Sequence, residues 1–289
     1  MAERLTRAQF VKVLRGRWAI AAYAIFGVIL FVIFLIASFP YGPTLSSFLA
    51  PFKLRIAYQS QSINLPVGAR LHNVKLISLA GPDDGVLLRS PSVKLAPTLG
   101  SLFLGSPGLN VSATLYGGSV HATVHRHAHL VDIDFALNSL NLADNLQLIN
   151  MGAVVSGLLS GQGSAAIAGP DLAENQGTVT LSANHLSVQA APGFPPIYFG
   201  AVFGKFRVSR GVMDIRQLEA HGGDAEIEVR GSVQLNPEDL AKSVIKATMY
   251  LNPTAEGRHH LGLLLNFLPH PPSAGPYQLS GTFASPSFD

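Results

Sequence analysis

"GLNVSATLYGGSVHATVHRHAHLVDIDFAL", Gly108 to Leu137, alternates apolar and polar residues on both sides of a Gly-Gly pair. A period of two is the mark of a strand with one apolar and one polar face. Gly-Gly between two such runs is a hairpin signal, because glycine takes positive φ without steric cost. The stretch therefore reads as a hairpin turning at Gly117-Gly118, followed by a third strand.

The same alternation recurs along the chain. "VKLISLAGPDDGVLLRSPSVKLAP" (74–97) reads as two strands around a "GPDDG" turn, and "GSAAIAG" (163–169) and "GTVTLSANHLSVQA" (177–190) add two more. At least three follow in "KFRVSRGVMDIRQLEAHGGDAEIEVRGSVQL" (205–235), and "GPYQLSGTFASPSF" (275–288) supplies the last. Helical candidates are few: "SLNLADNLQLINMGAVVSGLLSG" (139–161), "NPEDLAKSVIKA" (236–247), which has acids in its first turn, and "AEGRHHLGLLLNFLP" (255–269). Two segments, Ala113–His125 and Leu218–Leu235, share the order strand, Gly-Gly, alternating strand, which suggests duplicated halves at about 52–140 and 177–289.

The N-terminal region is of a different kind. No charged residue lies between Trp18 and Phe52, and Ala19 to Ala37 is almost wholly apolar. At about 1.5 Å per residue, such a run spans roughly 28 Å, close to the hydrocarbon thickness of a bilayer. A cleavable signal peptide has a shorter apolar region and a small-residue cleavage site, whereas Pro40 and Pro43 follow here. We read an uncleaved signal anchor. Arg4, Arg7, Lys12, Arg15 and Arg17 precede it against Glu3 alone, which sets the N-terminus in the cytoplasm.

The expected organisation is a basic cytoplasmic tail (1–17), a transmembrane anchor (18–39), a linker (40–51) and a β-rich periplasmic domain (52–289). Once the tail is set aside, 15 basic and 16 acidic residues remain, so the exported part is no polyanion binder and nucleic acid is not an expected partner. The chain has no cysteine, so an exported domain must be held by its core and its sheet, and a bacterial periplasm is the natural setting.

Two stretches resemble a known family. "VKLAPTLGSLFLGSPGLNVSATLYGGSVHATV" (93–124) is similar to the longer form of the type II secretion (general secretion pathway) protein N, where a strand, a small Leu/Gly turn and an "xxLYGGxxxxxV" hairpin follow one another. "LLLNFLPHPPSAGPYQLSGTFASPSF" (263–288) resembles the closing "GxxxxPxF" strand found there and in AsmA-like proteins. The resemblance extends over nearly the whole chain and implies a single-pass inner-membrane protein with a periplasmic sheet, in contact with other envelope proteins of the secretion machine. The AsmA-like likeness implies a curved sheet with an apolar concave face. The family pattern supplies no catalytic residue, and the histidine-rich strand after Gly118 departs from it. The expected fold is thus mainly β: one transmembrane helix, then an extended, curved antiparallel sheet of two similar halves with a few short helices.

The residues that invite chemistry are His121, His125, His127 and His129. On a strand they share one face, with neighbours about 6.5–7 Å apart. Two of them reach one zinc ion, but a closed tetrahedral site needs more ligands. Asp132, Asp134, His185 and His221 are donors that the sequence does not place nearby. The competing readings are a solvated imidazole face and a surface that gains charge together below about pH 6.5. Glu226, Glu228 and Arg230 read as the charged face of a strand rather than an acid/base pair, and His259-His260 as a capping or surface pair. No G-x-S-x-G, G-x-x-x-x-G-K-[ST] or H-E-x-x-H motif is present. We expect no enzyme and no cofactor.

The small apolar residues Ala166, Ala168, Ala183 and Ala225, with "GLLLNFLPHPP" and "VVSGLLSG", leave two readings. They line a shallow apolar groove for acyl chains of phospholipid, or the helices cap the sheet and close an ordinary core.

Overall fold

The computed structural model describes residues 54–63, 68–78, 85–98, 108–127, 130–144, 154–168, 174–189, 195–236, 242–266 and 268–289. Its strands are β1 (Leu54–Ala57), β2 (Ser60–Ile63), β3 (Ala69–Ser78), β4 (Gly85–Pro97), β5 (Gly108–Leu115), β6 (Gly118–His127), β7 (Leu130–Asn141) and β8 (Val154–Ile167). They continue as β9 (Gln176–Gln189), β10 (Ile197–Ser209), β11 (Val212–His221), β12 (Ala225–Gln234), β13 (Val244–Pro253), β14 (Tyr277–Gly281) and β15 (Pro286–Phe288). All belong to one antiparallel sheet in which, from β3 onward, each strand pairs with the next in sequence, while β1 and β2 share β3 as partner. A meander of this kind needs only short connections, which is why the alternating runs could be read one by one.

Two hairpins show how local chemistry sets the register. Leu115 pairs with Gly118, so the turn consists of Tyr116 (φ 47°) and Gly117 (φ 72°), one residue earlier than the Gly-Gly reading placed it. Positive φ at both central residues is the type I′ geometry that matches strand twist. Gly118 is the first strand residue, and a Cβ there would stand 2.3 Å from the Asn138 carbonyl oxygen. The structural counterpart of this turn is Arg210-Gly211 (φ 52° and 73°), between the paired Ser209 and Val212. The loop at Gly222-Gly223 is wider, and the ladder runs without a break through both 52–140 and 177–289 wherever strands are described.

Several sequence expectations are corrected. Among the described residues no helix is long and apolar enough to cross a membrane, so the single-pass transmembrane architecture and the inner-membrane placement are not supported. The helices present, α1 (Ala255–His260) and the single turn α2 (Gly262–Leu265), are far short of the roughly 20 residues a span needs. The segments read as tail, anchor and linker lie outside the described residues. Of the helix expected at 139–161, the described residues form the end of β7, a 3-10 turn at Leu142–Asp144 and the start of β8, and 145–153 lie outside the described residues. Of the one expected at 236–247, Val244 to Ala247 belong to β13, and 237–241 lie outside the described residues.

Among the described residues the sheet is a single layer. Close packing runs mainly between ladder neighbours, and the short helical segments add contacts chiefly beside β8 and β13. The largest cluster of fully buried side chains is correspondingly small: Leu71, Val74, Val93 and Leu95, with Ile56, Tyr58, Leu109, Val111 and Ala113 packed against it. Strands β7 to β10 carry a run of register irregularities at Ser139, Gly157, His185 and Gly200, all at positive φ. Bulges of this kind increase local twist and bend.

Candidate functional site: an apolar face without a covering layer

The register brings together what the sequence could only alternate. Followed from strand to strand, one line of paired residues reads Ile63, Ala69, Leu95, Val111, Ala122, Phe135, Gly163, Val179, Phe206, Ile215, Gly231, Ala247, Leu279 and Phe288. It crosses from β2 to β15 without one polar side chain. The next line on the same face, Leu109, Val124, Ile133, Ala165, Gly177, Val208, Met213, Val233 and Ile245, is also wholly apolar. So is the line on its other side, Leu71, Val93, Ala113, Val120, Leu137, Gly161, Leu181, Gly204 and Leu218. At 4.7–4.9 Å between strands, the longest line extends about 60 Å, and the three together are about 13 Å wide.

Displaced by one residue, the opposite face is polar: Asn110, Thr123, Asp134, Ser164, Thr178, Arg207, Asp214, Ser232 and Lys246 form one paired line. The two faces are therefore fully segregated along these lines. Most apolar-face side chains between β5 and β11 are half-buried, shielded by lateral neighbours with no second layer over them among the described residues.

The apolar face is also level. A Cβ on Gly163 would lie 2.7 Å from the Phe135 ring, and one on Gly204 would lie 2.6 Å from the Phe206 ring. Each ring thus lies across a glycine, filling the gap where a side chain is missing. Of the small residues expected to line the face, Ala183 and Ala225 do so and are buried, whereas Ala166 borders a cleft on the polar side.

The histidines lie on the polar face. His121 Nδ1 stands 3.0 Å from Ser112 Oγ, and the rings of His125 and His127 are 6.4 Å apart. Asp132, the ladder partner of His125, comes within 3.9 Å of His127 Nε2. Asp134 pairs with Thr123 two residues along the same face. β6 ends at His127, and His129 lies outside the described residues. His185 and His221 stand on β9 and β11. Among the described residues no group of three or more His, Asp or Glu side chains is arranged to hold a metal ion.

No family model, no curated protein and no solved structure matches this chain.

A second cluster escaped the sequence reading. His221 Nδ1 hydrogen-bonds Glu226, and its Nε2 lies 3.4 Å from Glu219. The hydrogen bond to Glu226, then that to Glu219, holds the His221 imidazolium above the usual histidine range. The same contact with His221, followed by the Gly222 N–H, holds the Glu226 carboxyl below its usual range. Glu228 pairs with Arg230 at 2.5 Å, so those two belong to the charged face of β12.

Beside this cluster sits Asp224, 5% exposed. Its Oδ2 accepts the Tyr198 N–H at 2.9 Å, and its Oδ1 accepts from His260 Nδ1 at 3.0 Å. Its backbone carbonyl accepts the Thr254 N–H, and Thr254 in turn caps α1 through the Gly257 N–H. His260 thus ties α1 to the sheet. Its only foretelling in sequence was an acid standing directly after Gly-Gly and before a strand.

Proposed function

We propose that the chain binds lipid acyl chains along the apolar face of its sheet and relays them from strand to strand. One observation carries this reading: an unbroken apolar line across fourteen strands, whose side chains between β5 and β11 are half-buried with no second layer over them among the described residues. A second protein layer would interdigitate its side chains with this face, as stacked sheets do at about 10 Å separation. Rings lying across glycines leave few holes for such knobs, whereas a flexible hydrocarbon conforms to a level surface. Half-covering a sixteen-carbon chain at about 0.8 kcal/mol per fully buried methylene is worth roughly 6 kcal/mol before ordering costs. That is enough for reversible binding and weak enough for movement along a 60 Å track, which is longer than the ~30 Å hydrocarbon core of a bilayer.

The test places a photoreactive benzoylphenylalanine at Val179 or, one residue away on the opposite face, at Thr178, and cross-links to a radiolabelled phospholipid. Labelling at position 179 well above that at 178 is expected. Equal labelling at both, or none at either, removes the reading.

A second reading follows from the resemblance to the secretion protein N: a non-enzymatic component of a type II secretion apparatus, working through contacts with other envelope proteins. The end of the sheet at β15 favours it. This strand pairs only with β14 among the described residues, and the large apolar side chains of Phe283 and Phe288 are exposed beside it. An unpaired edge recruits a partner strand by backbone hydrogen bonds.

A further inference from the structure

The polar face is not uniform. Between β6 and β11 it folds into an open cleft of about 970 Å³, bordered by His125, His127, Asp132 and Asp134 on one side and by Lys205, Arg207 and Arg216 on the other. The cationic side has a specific build. Lys205 and Arg207 are two residues apart on β10, so they share a face with their Cβ atoms about 6.5–7 Å apart. Thr180 and Thr178 stand directly opposite them on β9. Ser164, the next residue beyond Thr178, lies 3.2 Å from it, hydroxyl to hydroxyl.

The charge balance singles out the same pair. On β11, Arg207 faces Asp214 and Lys205 faces Gln217. The Asp214 carboxylate, however, goes to Arg216, at 3.5 Å. On the neighbouring β12, Arg230 is likewise matched to Glu228. Lys205 and Arg207 have hydroxyls beside them on β9, and among the described residues neither forms an ion pair with Asp214 or with the carboxylates across the cleft.

We propose that Lys205 and Arg207, with the hydroxyls of Thr178, Thr180 and Ser164, bind a phosphate group in this cleft. The guanidinium offers a planar fork of donors and the ammonium a point charge, the complementary pair of cations for a phosphate, and the hydroxyls satisfy its remaining oxygens. The phosphate belongs either to a small soluble molecule or to a phospholipid headgroup. This site is on the face opposite the apolar lines and stands independently of the acyl-chain reading.

The experiment titrates the full chain by calorimetry with inorganic phosphate and, separately, with dihexanoyl phosphatidylglycerol below its micelle concentration. Binding of phosphate identifies a soluble ligand, and binding of the short lipid alone identifies a headgroup. In either case K205Q/R207Q should weaken binding at least tenfold, since one charge-assisted contact is worth about a factor of ten. Thr178→Val should weaken it a few-fold, and Lys94→Gln, on the same face of β4 but away from the cleft, should leave it unchanged. An unchanged far-ultraviolet circular dichroism spectrum and urea midpoint of K205Q/R207Q report that the sheet is intact. The proposal is overturned if neither probe binds, or if the double variant keeps wild-type affinity.

Discussion

Replacing Asp224 by alanine should cost about 2–4 kcal/mol of stability, and the structure shows where that comes from. The side chain is 5% exposed, so its partners lose a carboxylate that water cannot readily replace. The larger part is the 2.9 Å hydrogen bond from the Tyr198 N–H, a charge-assisted contact worth about 1.5–3 kcal/mol. The smaller part is the contact with His260, whose side chain is 57% exposed, so it is held to the 1 kcal/mol or less of surface pairs. Asp224→Asn keeps an acceptor for Tyr198 and should cost only about 1 kcal/mol, and His260→Ala less than that. Urea unfolding of the three variants, with midpoints converted through a common m-value, ranks them. A His260→Ala loss equal to that of Asp224→Ala would show that the helix tie, and not the Tyr198 contact, is the strong one. An Asp224→Ala loss below about 1 kcal/mol would refute the whole account.

Two further outcomes follow. The His221–Glu226 contact makes stability depend on pH at both ends: the raised His221 value contributes below its unfolded value and is lost as pH rises through the folded one. The lowered Glu226 value contributes above its unfolded value and is lost as pH falls through the folded one. A plot of urea midpoint against pH should therefore fall off at both ends in the wild type and flatten in His221→Gln, and identical profiles would dismiss the pair as inert. In this meander the contacts run mainly between nearest neighbours, so it should open from its ends. Native-state hydrogen exchange should be slow in β8 to β10 and in β3 and β4, where the buried cluster lies, and fast in the terminal β1, β2 and β15, and uniform protection would contradict the one-layer description.

The strands were legible because alternation is local, and every long alternating run around Gly117 and Gly211 became a strand. Where the reading failed, glycine was the cause. In β8 the apolar face is held by Val155, Leu159 and Ala165, with Gly161 and Gly163 between them, so the period of two disappears and the segment looks like part of a helix. The turn was misplaced by one residue because Tyr116, not Gly118, takes the left-handed conformation. The apolar lines were invisible for a different reason: they exist only through register, and bulges at Ser139 and His185 shift it by amounts that no propensity reveals. Nothing in the alternation distinguishes Lys205 and Arg207 from other strand cations; the Asp214–Arg216 pair, which does so, exists only in the folded sheet. The N-terminal apolar segment drew a transmembrane assignment from length and charge alone, and no described helix supports it.

The single layer makes its two faces chemically independent. In a sandwich or a helix-covered sheet, the apolar face is the core, and a polar substitution there unfolds the protein whether or not the face has a function. Between β5 and β11 that face is largely half-buried, and the fully buried apolar residues concentrate toward the two ends of the sheet, in β3 and β4 and in β12 to β14. From β6 to β11 the ladders themselves, together with lateral contacts such as Phe135 over Gly163, hold the sheet. A polar residue at Val179 then removes apolar surface without opening a cavity, since no second layer stands over it among the described residues. Between β5 and β11 the face is apolar without a core to fill among the described residues, and that is the observation on which the proposed hydrocarbon partner rests.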